Sequence, residues 1–347
     1  MRSLEIGRKK RLAPSEACDE RERALFEQNR CKNVFFNPWG VTPCPGVRDF
    51  LRWKRQPNPF AMQKRRPHRA KVASDPKAGW EAMSGSCRLM WLGHATVFFE
   101  LDGVSLITDP IFGSVGRLAS RRAPFPLPLE ALPQADVVLI SHGHLDHLDV
   151  PSLTALCRSA AGAPLVVVPR GLSAVLPRCC RTVLELDWWD QITVGPLRVT
   201  LVPAQHWHQR NPLDINKRLW GAFVVEGNRR LFFCGDSGYF NGFSVLGRLF
   251  DGFDLAMLPL GGFEPRWLMA PQHLNPRESV QAMGDLRARH FLGIHWGTFD
   301  LADEPIWHGV HLLQRIVAQR GLDPRRFHVL PHGGCLGLEA DSVRSAS

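Results

Sequence analysis

ADVVLISHGHLDHLD, residues 135–149, reads as a short apolar strand, Asp136–Ile140, that runs straight into a loop holding His142, His144, Asp146 and His147. The loop sits where a chain leaves a sheet edge, so its four ligand-type side chains can converge. His142 and His144 can face one side while Asp146 and His147 turn to the other, and one loop can then serve two adjacent metal ions. Imidazole and carboxylate without thiolate suit zinc, or less often iron or manganese. The bland alternative is a solvated loop that happens to be rich in histidine. It fits poorly with three of the chain's 14 His falling in six residues.

Working outward, three later segments repeat the pattern of an apolar strand ending in a polar residue beside a Gly or small residue. PAQHWHQR (203–210) presents His206 after a strand Arg198–Pro203. LFFCGDSGY (231–239) presents Asp236 after Arg230–Cys234. FLGIHWGTF (291–299) presents His295 after Phe291–Ile294. Upstream, CRLMWLGHATVFFELDGVSLITDP (87–110) predicts two or three strands with a hairpin turn at Asp102-Gly103. Further strands are expected at Gln191–Val194, Ala222–Glu226 and Leu255–Pro259, and helices at Pro151–Ala160, Pro276–Arg289 and Pro305–Arg320. Strands and helices alternate, but the early hairpins forbid a purely parallel sheet. The expected class is α/β, a layered sandwich with mixed sheets.

The 347 residues carry a formal charge of +10, and the excess is local. Residues 1–80 hold 19 of the 43 Lys+Arg but 8 of the 33 Asp+Glu. They predict a basic, proline-rich arm, with a short helix near Ala24–Gln28, ahead of a near-neutral domain at 81–340. No run of about 18 apolar residues predicts a transmembrane helix, and no apolar N-terminal run suggests a secretory signal. The nine Cys form no C-x-x-C, and Cys179 and Cys180 are adjacent. Reduced thiols in a cytoplasmic protein are expected.

As a set, H-x-H-x-D-H followed by a His, an Asp and a His at strand ends resembles the metallo-β-lactamase superfamily. WLGHATVFFELDGVSLITDPIFG (91–113), PAQHWHQR, CGDSGYF (234–240), LPLGGFEPRWLMAPQHLNP (258–276), IHWGTFDLADE (294–304) and NPW (37–39) are similar to the N-acyl-phosphatidylethanolamine-hydrolysing phospholipase D family. The resemblance implies the αβ/βα four-layer sandwich of that superfamily. It implies two zinc ions: His142, His144 and His206 on one, Asp146, His147 and His295 on the other, with Asp236 bridging. It further implies cleavage of a phospholipid phosphodiester to N-acylethanolamine and phosphatidic acid. Asp146 and Asp236 then orient the nucleophilic water, and His273, matching a substrate-contacting His of the family, contacts the phosphate or helps the leaving group. One position departs: where mammalian members carry a headgroup-contacting Tyr, this chain has Leu145.

The expected partner is a phospholipid; residues 1–80 are read either as a solvated tail, the default for a charge run, or as the means of reaching a peripheral membrane surface. Nucleic acid is disfavoured and a homodimer stays open. A hydrolase of the same fold acting on a lactone, a thioester or a nucleic-acid phosphodiester is the alternative, and a non-catalytic ligand sensor a further one. Asp109 and His94 are weighed as supports of the ligand histidines against ordinary roles in a turn and in the core. His208 is expected to point to solvent. Trp91, Trp188, Trp189, Trp207, Trp220, Trp267 and Trp296 are read as core more than lipid contacts.

Overall fold

The two-residue turn at Asp102-Gly103 joins strands Thr96–Leu101 and Val104–Thr108. Both turn residues have positive φ, 49° and 77°, the twist that a tight hairpin requires. In the computed structural model, which describes residues 4–14, 19–40, 42–65, 70–85, 87–159 and 162–338, this hairpin is the centre of a seven-stranded sheet. Its strands lie in the order Gly334–Gly337, Cys87–Gly93, Thr96–Leu101, Val104–Thr108, Val137–Leu139, Leu165–Pro169 and Thr182–Leu186. The first three pairings are antiparallel and the last three parallel.

The second sheet has eight strands, ordered Lys10–Arg11, Asp190–Val194, Leu197–Val202, Ala222–Glu226, Arg230–Phe233, Phe253–Pro259, Ala288–Ile294 and Phe327–His328. It is also mixed, turning parallel after Arg230–Phe233. Alternation along Cys87–Gly93 decides how the layers stack. Leu89 and Trp91 join the main core between the two sheets. Met90 and Leu92 join a second cluster that includes Leu153 and Cys157 of helix Val150–Cys157. Helices Pro276–Asp285 and His308–Gln319 lie on the eight-stranded sheet and contact each other. The order is therefore helix, sheet, sheet, helix: the expected αβ/βα sandwich with mixed sheets.

Boundaries differ from expectation where local chemistry intervenes. Helix Pro276–Asp285 starts as its sequence says, with Pro276 in the first turn and a reciprocal cap between Asn275 and Glu278. It ends before Arg289 because Arg287 turns to φ 53° and strand Ala288–Ile294 begins. The expected helix Pro151–Ala160 ends at Cys157, and Ala160 lies outside the described residues. The expected helix at Pro305 begins at His308. Near Ala24–Gln28 the chain forms a 3-10 turn, Ala24–Phe26, after a short helix Glu20–Arg23. Within residues 1–80, Lys10–Arg11 pairs with Asp190–Val194 and a helix forms at Val47–Arg55. Leu25 and Phe35 lie in the main core. No helix among the described residues is long and apolar enough to cross a membrane.

Candidate metal centre

Strand Val137–Leu139 runs parallel between its neighbours, and the loop carrying His142, His144, Asp146 and His147 emerges from its C-terminal end. His206, Asp236 and His295 follow the ends of strands Leu197–Val202, Arg230–Phe233 and Ala288–Ile294. All seven candidate ligands gather at one edge of the sandwich. His142, His144 and His206 form one cluster, and Asp146, His147 and His295, with His94, form a second. Asp236 lies between them. Its Oδ2 is 3.9 Å from His142 Nε2, 4.0 Å from His206 Nε2 and 3.1 Å from His147 Nε2, and its Oδ1 is 3.2 Å from His295 Nε2. His142 Nε2 and His206 Nε2 lie 2.9 and 3.1 Å from His144 Nδ1. These separations approach the ~3.3 Å between ligand atoms of a tetrahedral site with bonds of 2.0–2.1 Å.

The outer faces of the rings explain why the inner nitrogens converge. Ser141 donates its hydroxyl proton to Asp109 Oδ2 at 2.5 Å, so His142 Nδ1 donates to Ser141 Oγ at 2.9 Å. His147 Nδ1 donates to Asp109 Oδ2 at 2.7 Å, His206 Nδ1 to the Gln272 carbonyl at 3.0 Å and His295 Nδ1 to the Gly261 carbonyl at 3.2 Å. Each acceptor fixes a ring so that Nε2 faces the shared space, as an outer partner does for a metal-bound imidazole. Arg210 closes the other side of the loop, donating to the carbonyls of Gly143 and Leu148 at 2.8 and 2.9 Å. His94, Asp109 and His295 hold φ of 54°, 33° and 58°. Left-handed backbone in non-glycine residues is rare, and these three instances adjoin the site.

The donor set fits divalent metal. His144 Nε2, His147 Nε2, His295 Nε2, Asp236 Oδ1 and His273 Nδ1 are buried and lack a hydrogen-bond partner among the described residues. Burial works to raise Asp236, but His147, His295 and His273 outweigh it and hold the carboxyl well below the usual range. Burial works to lower His147 and His295, yet the facing Asp236 and Asp146 carboxylates push His147 well up and His295 to about 9. Without metal, protons on these rings answer the buried carboxylates, and binding of a divalent ion would displace them. Burial takes His144 and His273 down to about 4, which leaves both neutral near pH 7.

His94 and Asp109 occupy supporting positions: His94 Nε2 is 3.1 Å from Asp146 Oδ2. His208 departs from expectation. It is fully buried, with Nε2 3.5 Å from Asp214 Oδ2, and it packs so closely on Gly143 that a Cβ there would lie 2.2 Å from its ring. Ser141, Gln272, Gly261 and Arg210 were not anticipated. Of these, only Ser141, adjacent to His142, left a trace in the sequence. Trp91, Trp188, Trp189 and Trp220 are fully buried, as core tryptophans are.

Above the ligands opens a cavity of about 490 Å³. His144, Asp146, Asp236, His273 and His295 reach into its floor, and Val47, Phe50, Trp53, Leu145, Leu268 and Met269 are among its apolar walls. Val47, Phe50 and Trp53 come from one stripe of helix Val47–Arg55, spaced three residues apart.

Residues 105–296 match the family model described as a beta-lactamase superfamily domain. The chain is 38% identical over 227 residues to the mitochondrial N-acyl-phosphatidylethanolamine-hydrolyzing phospholipase D of Saccharomyces cerevisiae, covering 62% of this chain and 48% of that protein. It is 38% identical over 228 residues to N-acyl-phosphatidylethanolamine-hydrolyzing phospholipase D 1 of Caenorhabditis elegans, covering 61% and 64%. The match thus spans about half of the first relative and just under two thirds of the second. A metallo hydrolase from the archaeon Ignicoccus hospitalis shares the fold, with a TM-score of 0.55 at 18% identity over 74% of this chain and 99% of that one.

Proposed function

The chain belongs to the β-lactamase superfamily, and on that premise we propose that it is a dizinc hydrolase of phospholipid phosphodiesters, of phospholipase D type. The observation that carries this reading is the position of the two ligand clusters on the floor of an apolar-walled cavity. His142, His144 and His206 would hold one ion and Asp146, His147 and His295 the other, with Asp236 between them. When bound, such ions polarise a phosphoryl oxygen and lower the pKa of water.

The remaining work falls to the chain's own groups. Asp146 and Asp236 present carboxylate oxygens that orient the attacking water. His273 is neutral near pH 7, and its Nδ1 lies 3.7 Å from Asp236 Oδ2. A neutral imidazole there positions a phosphate oxygen or the leaving group through an N–H rather than through charge. The walls of the cavity take acyl chain and exclude water. A diester with one apolar arm and one small polar arm suits that division.

Residues 1–80 serve in this reading as a basic arm ahead of the hydrolase domain at 81–340, in a cytoplasmic protein that meets a membrane peripherally. Support comes from helix Val47–Arg55, where Val47, Phe50 and Leu51 are exposed beside Arg48, Arg52, Lys54 and Arg55. That pairing of apolar and basic side chains suits an anionic bilayer surface.

The test is metal analysis followed by a substrate panel: N-acylated phosphatidylethanolamine, phosphatidylcholine, a cyclic nucleotide, a lactone and a β-lactam. Two zinc ions per chain and cleavage of a phospholipid, lost on chelation and restored by zinc, are expected. Cleavage of only the lactone or β-lactam would sink the lipid reading. Leu145→Tyr, at an exposed position on the cavity wall, is expected to shift preference toward the N-acylated ethanolamine headgroup.

A further inference from the structure

A second group of ligand side chains lies away from the cavity. Cys157 is the last residue of helix Val150–Cys157, which starts directly after the His loop with Asp149 as its cap. Cys179 and Cys180 lie in the turn before strand Thr182–Leu186, closed by a hydrogen bond from Cys180 N–H to the Pro177 carbonyl. The three Sγ atoms lie within 4.8 Å of one another, and Cys157 Sγ and Cys180 Sγ are 2.7 Å apart. Cys157 and Cys180 are buried in the second apolar cluster, while Cys179 is half-buried at its edge. The group therefore has a dry interior side and one side open to entry.

We propose that Cys157, Cys179 and Cys180 form a binding site for a soft, three-coordinate thiophilic ion, of the cuprous or trivalent-arsenic class. Three points support it. The ligand types are segregated: the cavity site is built of imidazole and carboxylate, this one of thiols alone, with no His, Asp or Glu in the group. Softness then sorts the ions, borderline zinc to the cavity and a soft ion to sulfur.

Geometry is the second point. Sulfurs around a three-coordinate ion with bonds of about 2.3 Å lie about 4.0 Å apart when it is planar, as cuprous ion is, and about 3.5 Å apart when it is pyramidal, as trivalent arsenic is, both within the span the three thiols already occupy. Parting Cys157 and Cys180 by about 1 Å needs only side-chain rotation.

Charge is the third. A helix C-terminus carries partial negative charge, so ionising Cys157 beside two more thiols calls for a cation among them. Arg158, Arg178 and Arg181 each adjoin one of the cysteines in sequence and are exposed, offsetting the charge of the thiolates.

The experiment titrates the zinc-loaded full chain, reduced and under anaerobic conditions, with cuprous ion against a chromophoric cuprous chelator, and in a separate arm with arsenite. Both use a background in which Cys18, Cys31 and Cys44 are Ser, so that the exposed Cys31 and Cys44 and the N-terminal Cys18 do not compete. One added ion per chain in either arm, with sulfur-to-metal absorption, is expected, and the arm that saturates at the lower concentration identifies the class. Losing a partner of a ligand weakens metal affinity about 10–100-fold, so losing one of three ligands in Cys157→Ser or Cys179→Ala is expected to weaken it at least about 100-fold. Cys179→Ala, at the half-buried position, guards against a folding defect, and circular dichroism of each variant checks it. No added ion, or equal binding by a variant with all three cysteines replaced by Ser, would overturn the site. So would a Cys157–Cys180 disulfide in the isolated chain whose reduction restores no ion binding.

Discussion

Asp109 and His147 meet at 2.7 Å, Oδ2 to Nδ1, with both side chains fully buried. The same carboxylate accepts the backbone N–H and the hydroxyl of Ser141, at 2.7 and 2.5 Å, and Ser141 in turn orients His142. One residue, directly after strand Val104–Thr108, therefore aims a histidine of each ligand cluster. Asp109→Ala is expected to weaken zinc affinity by about 10–100-fold. Asp109→Asn should fall between, because the amide keeps one oxygen acceptor for three former donors. Competition with a chromophoric zinc chelator measures both. Unchanged affinity in Asp109→Ala would reduce Asp109 to a turn residue.

Glu304 supports the site from the opposite side. Its buried carboxylate accepts the backbone N–H groups of Gly262, Phe263 and Glu264 at 2.6, 3.1 and 3.0 Å. This pins the turn whose Gly261 carbonyl accepts from His295 Nδ1. Bonds to a charged acceptor contribute about 1.5–3 kcal/mol each, so Glu304→Ala is expected to destabilise the fold by roughly 3 kcal/mol or more in urea unfolding. It should also lower zinc affinity, through the loosened His295. Stability near wild type would show that the turn holds itself.

That the seven candidate ligands come together was legible because their chemistry resides in side-chain type and in a repeated placement after apolar strands. Their supports were mostly not. The acceptors at Gly261 and Gln272 are backbone carbonyls, which every residue carries and no sequence distinguishes. His208 departs from expectation because a residue beyond a strand end is expected to point to solvent. Instead the chain doubles back: His208 N–H donates to Asn216 Oδ1 and Asn216 N–H to the His208 carbonyl, at 2.9 and 2.8 Å, and the ring turns inward. In the first 80 residues, charge and proline masked apolar side chains. Leu25 and Phe35 enter the main core, and Trp39 stacks on Phe240 with centroids 5.0 Å apart.

His332 gives the fold an acid-side weakness. It is fully buried, stacks against Trp91 with centroids 4.5 Å apart, and bonds Thr298 Oγ1 at 2.9 Å. Burial pushes its pKa down to about 4, with Arg121 also lowering it against the Lys71 carbonyl. The unfolded chain binds this proton near pH 6.5. As pH falls, the unfolded state is therefore protonated first. The stabilising effect is complete above pH 6.5 and is lost between there and about 4, up to roughly 3 kcal/mol. His332→Gln is expected to be less stable at pH 7.5 but to lose less on going to pH 4.5. Urea unfolding of both chains across that range is the measurement, and parallel pH profiles would remove His332 from the account.

The last prediction concerns the membrane side of the cavity. Deleting residues 1–80 is a poor probe, because Leu25 and Phe35 would leave the core and Lys10–Arg11 would leave its sheet. Neutralising helix Val47–Arg55 is cleaner. Arg52 lies 4.2 Å over the Trp267 ring and Lys54 3.7 Å over the Trp53 ring, so Gln at positions 48, 52, 54 and 55 keeps most of the stem packing. Each basic side chain near an anionic bilayer contributes about 1 kcal/mol, or about fivefold in partition. The four-Gln variant is expected to bind anionic vesicles at least ~25-fold more weakly at low salt, equivalent to two such side chains at the surface. Its hydrolysis of a short-chain, water-soluble substrate should be unchanged, since none of the four is among the ligands. Equal vesicle binding by both chains would detach this helix from the membrane and leave its apolar stripe as cavity wall alone.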